Sequence, residues 1–195
     1  MAKSANQKLK LLYLRQLLLE RSDEDHPIST QALIDALESL GISPIAHGEA
    51  LHDLYWAGVL DCITVRPGVP ELLDELRARG VRVIVCTNML VGIQMRKLCQ
   101  LGLADKIDAL VTSEEAGRDK PDAPIFHLAL KKADCLPQQA LMVGDNFEHD
   151  IRGAHAVGIA GLWLHVHGEP AVTADFPFAE APDFMQAADL IRSLL

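Results

Sequence analysis

Gly144-Asp145-Asn146-Phe147-Glu148-His149-Asp150-Ile151-Arg152-Gly153-Ala154 follows directly on an apolar run, Ala140 to Val143. Four apolar residues ahead of a glycine read as a short buried strand. Asp145 and Asp150 then sit where that strand ends and a helix begins. In an open α/β sheet this carboxyl edge is where ligands bind. A hard cation such as Mg²⁺ takes carboxylate oxygens there.

Two upstream stretches belong with it. Val81-Arg82-Val83-Ile84-Val85-Cys86 is a second buried-strand run and ends in Thr87-Asn88. Ala109-Leu110-Val111-Thr112 is a third, followed by Gly117-Arg118-Asp119-Lys120-Pro121-Asp122-Ala123-Pro124-Ile125-Phe126. A hydroxyl at one strand end, a lysine ahead of a helix and an acidic pair at the next strand end form a phosphate-and-metal constellation. Thr87, Asn88 and nearby amides would bind phosphate oxygens, Lys120 would neutralise charge, and Asp145 would hold the cation.

Helices separate the strands. The pattern predicts helices over Val69 to Arg79, Leu90 to Leu101, Ala123 to Ala133, Phe147 to Val157 and Phe184 to Leu195. A fourth strand is expected over Gly161 to Val166. Such alternation argues an α/β fold, a parallel sheet with helices on both faces.

At these residues the sequence resembles the haloacid dehalogenase (HAD) superfamily of phosphohydrolases, from roughly Gly48 to Leu195. Arg66-Pro67-Gly68-Val69 with Glu71-Leu72-Leu73 resembles the helix entry before that family's second motif. Thr87 matches the second motif, Lys120 the third, and Asp145 with Asp150 the fourth. The resemblance implies a Rossmann-like sheet and Mg²⁺-assisted phosphoryl transfer from a small phosphorylated molecule to a carboxylate. Catalytic roles then fall to Thr87, Lys120, Asp145 and Asp150, with Asp150 orienting the lysine.

The first motif departs from the family. The family opens on a strand ending in Asp-x-Asp-x-Thr/Val, whose first Asp is the nucleophile and whose second is the general acid/base. No such run follows an apolar strand before Thr87; Asp23-Glu24-Asp25 leads into His26-Pro27-Ile28. The nearest substitute is Val59-Leu60-Asp61-Cys62-Ile63-Thr64-Val65, with Ile63 where the acid/base Asp belongs. The missing strand is central in the family's sheet. The fold expected here is therefore an incomplete HAD-like sheet with a gap between the strands ending at Thr87 and Asp145. Val59 to Val65 is the candidate to fill it, and a complementing chain that supplies the strand is the alternative. Only the last helix of a substrate-selecting cap remains, at Glu49 to Gly58.

What precedes is of another kind. Gln7 to Arg21 is leucine-dense and predicts a buried helix. Ser29 is a good N-cap for a helix over Thr30 to Leu40, with Gly41 as its stop. Helix, acidic turn, short helix and Gly resemble the opening of the winged helix-turn-helix in WYL-type transcription regulators, from about Ala2 to Ser43. The organisation expected is a small helical segment, 1–43, and a hydrolase-like domain, 48–195, with the seam at Ile42 to Gly48. A DNA-binding regulator with a HAD-like effector domain is one reading of that pairing. Against it, no Lys or Arg occurs between Arg21 and Arg66, and phosphate contacts need positive charge.

Composition narrows the field further. A net charge of −9 disfavours nucleic acid and anionic membranes as partners. The longest apolar runs are too short for a bilayer, and no signal peptide is read, so a cytoplasmic protein is expected. Cys62, Cys86, Cys99 and Cys135 lack metal-ligand spacing and read as reduced thiols. His127, His149, His155, His165 and His167 are scattered without a third ligand in register. Tyr55 and Trp56 read as core. The function expected is Mg²⁺-dependent phosphomonoester hydrolysis by ancestry, weak or absent without the nucleophile. The alternative is a non-catalytic module that binds a phosphorylated ligand; a homo-oligomer is compatible with either.

Overall fold

The computed structural model describes residue 16, residues 29–166 and residues 170–195. Apart from Gln16, the helix expected over residues 7–21 lies outside these, as does His167. The chain divides into two compact units, Met1–Thr64 and Val65–Leu195.

In the first unit, helix α1 (Thr30–Ser39) begins where Ser29 Oγ accepts the Ala32 N–H at 3.1 Å. It stops at Gly41, whose φ of 64° suits a residue without a Cβ. Ser43 caps helix α2 (Pro44–Cys62), and Pro44 takes the first helical position, where no N–H is needed. The Ser43-Pro44 pair, expected to mark a seam, thus opens a long helix. Leu51 and Tyr55 of α2 pack on the buried Leu33, Ala36 and Leu37 of α1. The boundary therefore falls after Thr64 and not at residues 42–48.

Val59–Cys62 correct a second expectation. They form the last turn of α2, with the Ile63 N–H donating to the Val59 carbonyl. Asp61 is an exposed helix residue, so this segment supplies neither the central strand nor a carboxylate at a strand end. Nineteen residues starting from a good cap favour continued helix over a short strand exit.

The second unit alternates as the pattern predicts. Its elements are α3 (Val69–Ala78), β1 (Ile84–Thr87), α4 (Val91–Gln100), β2 (Ala109–Thr112), the single turn α5 (Ser113–Ala116), α6 (Ala123–Ala133) and β3 (Leu141–Gly144). A wide turn (Phe147–Arg152), α7 (Gly153–Ala156), β4 (Ala160–Leu164), β5 (Ala179–Ala181) and α8 (Phe184–Ser193) complete it. Every strand pair is parallel. The strands nevertheless form two sheets among the described residues, β1-β2 and β3-β4-β5. Cys86 stands opposite Val111 in the first, and Met142 opposite Gly161 in the second.

Both faces are covered. Successive strand residues point to opposite sides, and here they enter different cores. Met142 packs with Ile125, Phe126 and Leu130 of α6, while its neighbour Leu141 packs with Leu162, Ala181 and Ala187. Phe126 also meets Gly153 of α7, where an added Cβ would come within 2.7 Å of its ring. On the α8 side, Arg192 Nε reaches Glu75 of α3 at 2.9 Å. Lys106 Nζ holds Asp74 of α3 at 2.5 Å, tying that helix to the turn ahead of β2. The membrane expectation has a structural counterpart: no helix among the described residues is long and apolar enough to cross a bilayer.

Two predictions follow from this packing. Phe126→Ala removes a ring that is 1% exposed and should cost about 3–5 kcal/mol in urea unfolding; a loss under about 1 kcal/mol would mean the α6 core is not shared as described. The Arg192 guanidinium holds the Glu75 carboxyl below its ordinary value. The stability from that pair is present above the ordinary carboxylate range and is lost as pH falls through the lowered value. The stability difference between the native chain and Arg192→Met should therefore be largest near neutral pH and shrink in acid.

Candidate active site

The carboxyl ends of β1 and β3 meet around one ion pair. Lys120 Nζ donates to Asp150 Oδ1 at 2.5 Å and to the Cys86 carbonyl at 3.0 Å. The pair is nearly dry, with the Lys120 side chain 11% and the Asp150 side chain 4% exposed. Asp150 Oδ2 accepts the Asn146 N–H at 3.1 Å, so both carboxylate oxygens are engaged. Burial of two charges is tolerated only when they are paired and hydrogen-bonded in this way.

Local sequence explains the approach. Asp150 lies on the wide turn, directly against Gly144. A Cβ at Gly144 would run into its carboxylate, so only glycine fits at that strand end. Asn146 caps the turn by accepting the His149 N–H at 2.9 Å. Trp163 of β4 donates its indole N–H to the Asp145 carbonyl at 2.9 Å, fixing the loop from behind.

Lys120 is braced from β1. Asn88 Oδ1 accepts the Lys120 N–H at 2.7 Å, and Asn88 Nδ2 donates to the Lys120 carbonyl at 3.2 Å. The Lys120–Pro121 peptide bond is cis. The Asn88 amide thus holds the lysine loop with its oxygen and one of its two amide protons, and the second proton is left to donate. Ser113 Oγ donates to the Asn88 carbonyl at 3.3 Å, and Glu114 accepts the Val91 N–H at 2.6 Å at the start of α4. Thr87 Oγ1 accepts the Met89 N–H at 3.1 Å. That bond uses an oxygen lone pair and leaves the hydroxyl proton to donate.

Thr87, Asn88, Lys120 and Asp150 are therefore brought together, with Asp145 on the adjacent loop. The Asp145 side chain is exposed and makes no hydrogen bond or ion pair among the described residues. Lys120 also contributes to the lining of a shallow hollow of about 460 Å³ with Ser113, Glu114, Arg118, Asp119 and Asp122, which Thr87, Asn88, Asp145 and Asp150 do not line. Asp61 belongs to the other compact unit. Cys86, next to the lysine, is not a ready nucleophile. Burial pushes its thiol above the ordinary value, outweighing the nearby Lys120 charge, and the thiolate is the reactive form.

Sequence reasoning did not find Trp163 or the brace role of Asn88. Trp163 carried no signal, because its partner is a backbone carbonyl far away in the chain. Gly144 stood in the quoted motif, and the need for glycine becomes visible only once Asp150 is placed.

A haloacid dehalogenase-like hydrolase family model matches residues 6–158. The chain belongs to that family. A ribulose-1,5-bisphosphate 5-phosphatase of Halopiger xanaduensis is 44% identical over 110 residues, which is 56% of this chain and 46% of that protein. The phosphoserine phosphatase of Thermus thermophilus is 37% identical over 98 residues, 50% of this chain and 39% of its own length. The chain thus spans less than half the length of these two relatives. Among solved structures, a HAD phosphatase from Thermococcus onnurineus superposes with a TM-score of 0.68 at 20% identity, covering 92% of this chain and 78% of that one. The last likeness carries the α/β fold alone.

The ion pair makes a direct prediction. Lys120→Met strands a buried carboxylate and should cost about 3–5 kcal/mol in urea unfolding, while adding Asp150→Asn should restore part of the loss. Additive losses in the double variant would show that the two side chains do not act as a pair.

Proposed function

We propose that this member of the hydrolase family binds a small phosphorylated molecule at Thr87 and Lys120 with Mg²⁺ on Asp145, and that alone it hydrolyses phosphomonoesters weakly or not at all. One observation carries the reading: a buried, braced lysine at the meeting of two strand ends, with the exposed Asp145 next in the chain after one of them. Lys120 has engaged two of its three protons. The third can meet a phosphoryl oxygen, together with the Thr87 hydroxyl. Asn88 and Asp150 hold the ammonium in place, so no reorganisation is needed when charge develops.

The donor set suits Mg²⁺ to a limited extent. That ion commonly takes one or two carboxylates, completing its shell with water and substrate phosphate. Asp145 supplies one; no cluster of three potential ligands occurs among the described residues. When bound, the ion would offset the negative charge that Asp145 and a phosphate bring together.

Among the described residues an acceptor for the phosphoryl group is the missing part. Asp150 has both oxygens engaged, Asp145 is assigned to the cation, and the Cys86 thiol is kept protonated by burial. The same absence supports a second reading, a non-catalytic module that senses a phosphorylated ligand. A DNA-binding role draws on the winged-helix wording of residues 2–43. Its support is weaker, because the chain carries a net charge of −9 and no Lys or Arg between Arg21 and Arg66.

Two measurements separate these readings. With p-nitrophenyl phosphate and Mg²⁺, the expected turnover is at or near that of Asp145→Asn and Lys120→Ala; robust metal-dependent turnover would overturn the claim of weak activity. Inorganic phosphate with Mg²⁺ should raise the melting temperature of the native chain and leave Asp145→Asn unmoved. Equal shifts in both would remove Asp145 from the site.

A further inference from the structure

Helix α4 starts without a cap of its own. Leu90, the residue ahead of it, makes no side-chain capping bond. The first N–H groups of a helix need acceptors from outside it. The Val91 N–H finds one in another element, where Glu114 Oε2 accepts it at 2.6 Å. A carboxylate is also the acceptor that the positive end of a helix favours.

The α5 turn that carries Glu114 is anchored from below. Thr112, at its start, is 1% exposed, and its Oγ1 accepts the Glu115 N–H at 3.4 Å. Glu115 pairs with Lys132 Nζ of α6 at 2.6 Å, and the same ammonium donates to the Leu110 carbonyl of β2 at 2.8 Å. From this base two neighbouring side chains reach one loop. Ser113 Oγ donates to the Asn88 carbonyl, and Glu114 takes the Val91 N–H. Their bonds bracket residues 88–91. Inside the bracket are the Met89 N–H, which Thr87 Oγ1 accepts, and Asn88, whose amide holds the Lys120 backbone on both sides.

We infer that Glu114 is a positioning residue of the phosphate site. Its carboxylate oxygen caps α4, fixes the loop after Thr87, and acts through Asn88 on the loop of Lys120. The role in ligand binding rests on the reading of Thr87 and Lys120 given above; the clamp on the loop rests on the hydrogen bonds alone. The acceptor oxygen does the positioning, and the charge does not. Glu114 lines the same hollow as Lys120, so its charge by itself would oppose an incoming phosphate. Acceptor and charge therefore predict opposite effects on binding. Glutamine keeps an oxygen acceptor and drops the charge.

The test compares the full native chain with Glu114→Ala and Glu114→Gln. Amide hydrogen exchange is read at Val91, at Lys120 and, as a check on the fold at large, at Leu162 of β4. Glu114→Ala should speed exchange about fivefold or more at Lys120 as well as at Val91, with Leu162 unchanged. Glu114→Gln should return both to near the native rate. Faster exchange confined to Val91 would reduce Glu114 to a local helix cap and overturn the inference. Glutamine behaving as alanine would overturn it too, because the acceptor would then not be what matters. Faster exchange at Leu162 would assign Glu114 to general stability instead. Binding of inorganic phosphate with Mg²⁺ is measured separately by calorimetry. It should weaken about threefold or more in Glu114→Ala and stay native-like in Glu114→Gln. Tighter binding in both variants would make the carboxylate a repelling charge, and native binding in Glu114→Ala would remove it from the site. No phosphate binding by the native chain would sink the phosphate reading and the role in ligand binding with it, while exchange at Lys120 still decides the clamp.

Discussion

Lys120 Nζ donates to Asp150 and to the Cys86 carbonyl, and those two bonds join the ends of two sheets that share no ladder among the described residues. In an unbroken sheet, backbone hydrogen bonds would set the separation and direction of neighbouring strands. Here a side-chain ion pair does part of that work. The arrangement depends on burial: in water such a pair contributes little, whereas a nearly dry one is costly to break because either charge left alone has no partner. Asn88, Asn146 and Gly144 all serve it. The first braces the lysine loop, the second satisfies the other carboxylate oxygen, and the third gives Asp150 room.

That constraint also orders the chemistry. A phosphate site needs positive charge held in place before the ligand arrives. In the proposed site Lys120 would provide it, because its backbone is clamped in both directions by one amide. Asp145 differs in kind: its backbone is fixed by Trp163 while its carboxylate is left exposed. The two aspartates of one motif thus do different work, one structural and buried, the other exposed and available to a cation.

The sequence was most legible where periodicity and local signals agreed. β2 and α6 run over the residues that the pattern predicts, because an apolar run after a turn and a Pro-initiated helix are local features. The Ser29 cap and the Gly41 stop are of the same kind. Legibility failed where tertiary context decides. Val59–Cys62 are apolar enough for a strand, but they continue a capped helix whose Leu51 and Tyr55 already pack on α1. β5 went unseen because Ala179–Ala181 is three residues long and carries no apolar run. The turn over Phe147–Arg152 was read as ordinary helix; its widened geometry accompanies the return of Asp150 to the Asn146 N–H.

Motif order alone predicts a gap in the sheet; it does not say how the strands on either side are packed. A missing central strand suggests a collapsed core or a substitute segment. Among the described residues neither occurs: the two cores keep their packing through Phe126, Ile125 and Leu130 on one side and Leu162, Ala181 and Ala187 on the other. Those contacts reach β1 through Ile84 and Cys86 and β3 through Leu141 and Met142, although β1 stays half-buried and Val143 exposed. The described layers thus hold together with no ladder between β1 and β3 among the described residues, and an ion pair joins the carboxyl ends of those strands. Under the proposed function the chemistry is less tolerant, because a phosphoryl acceptor must stand within reach of Lys120, and among the described residues Asp150 has both carboxylate oxygens engaged and burial raises the Cys86 thiol.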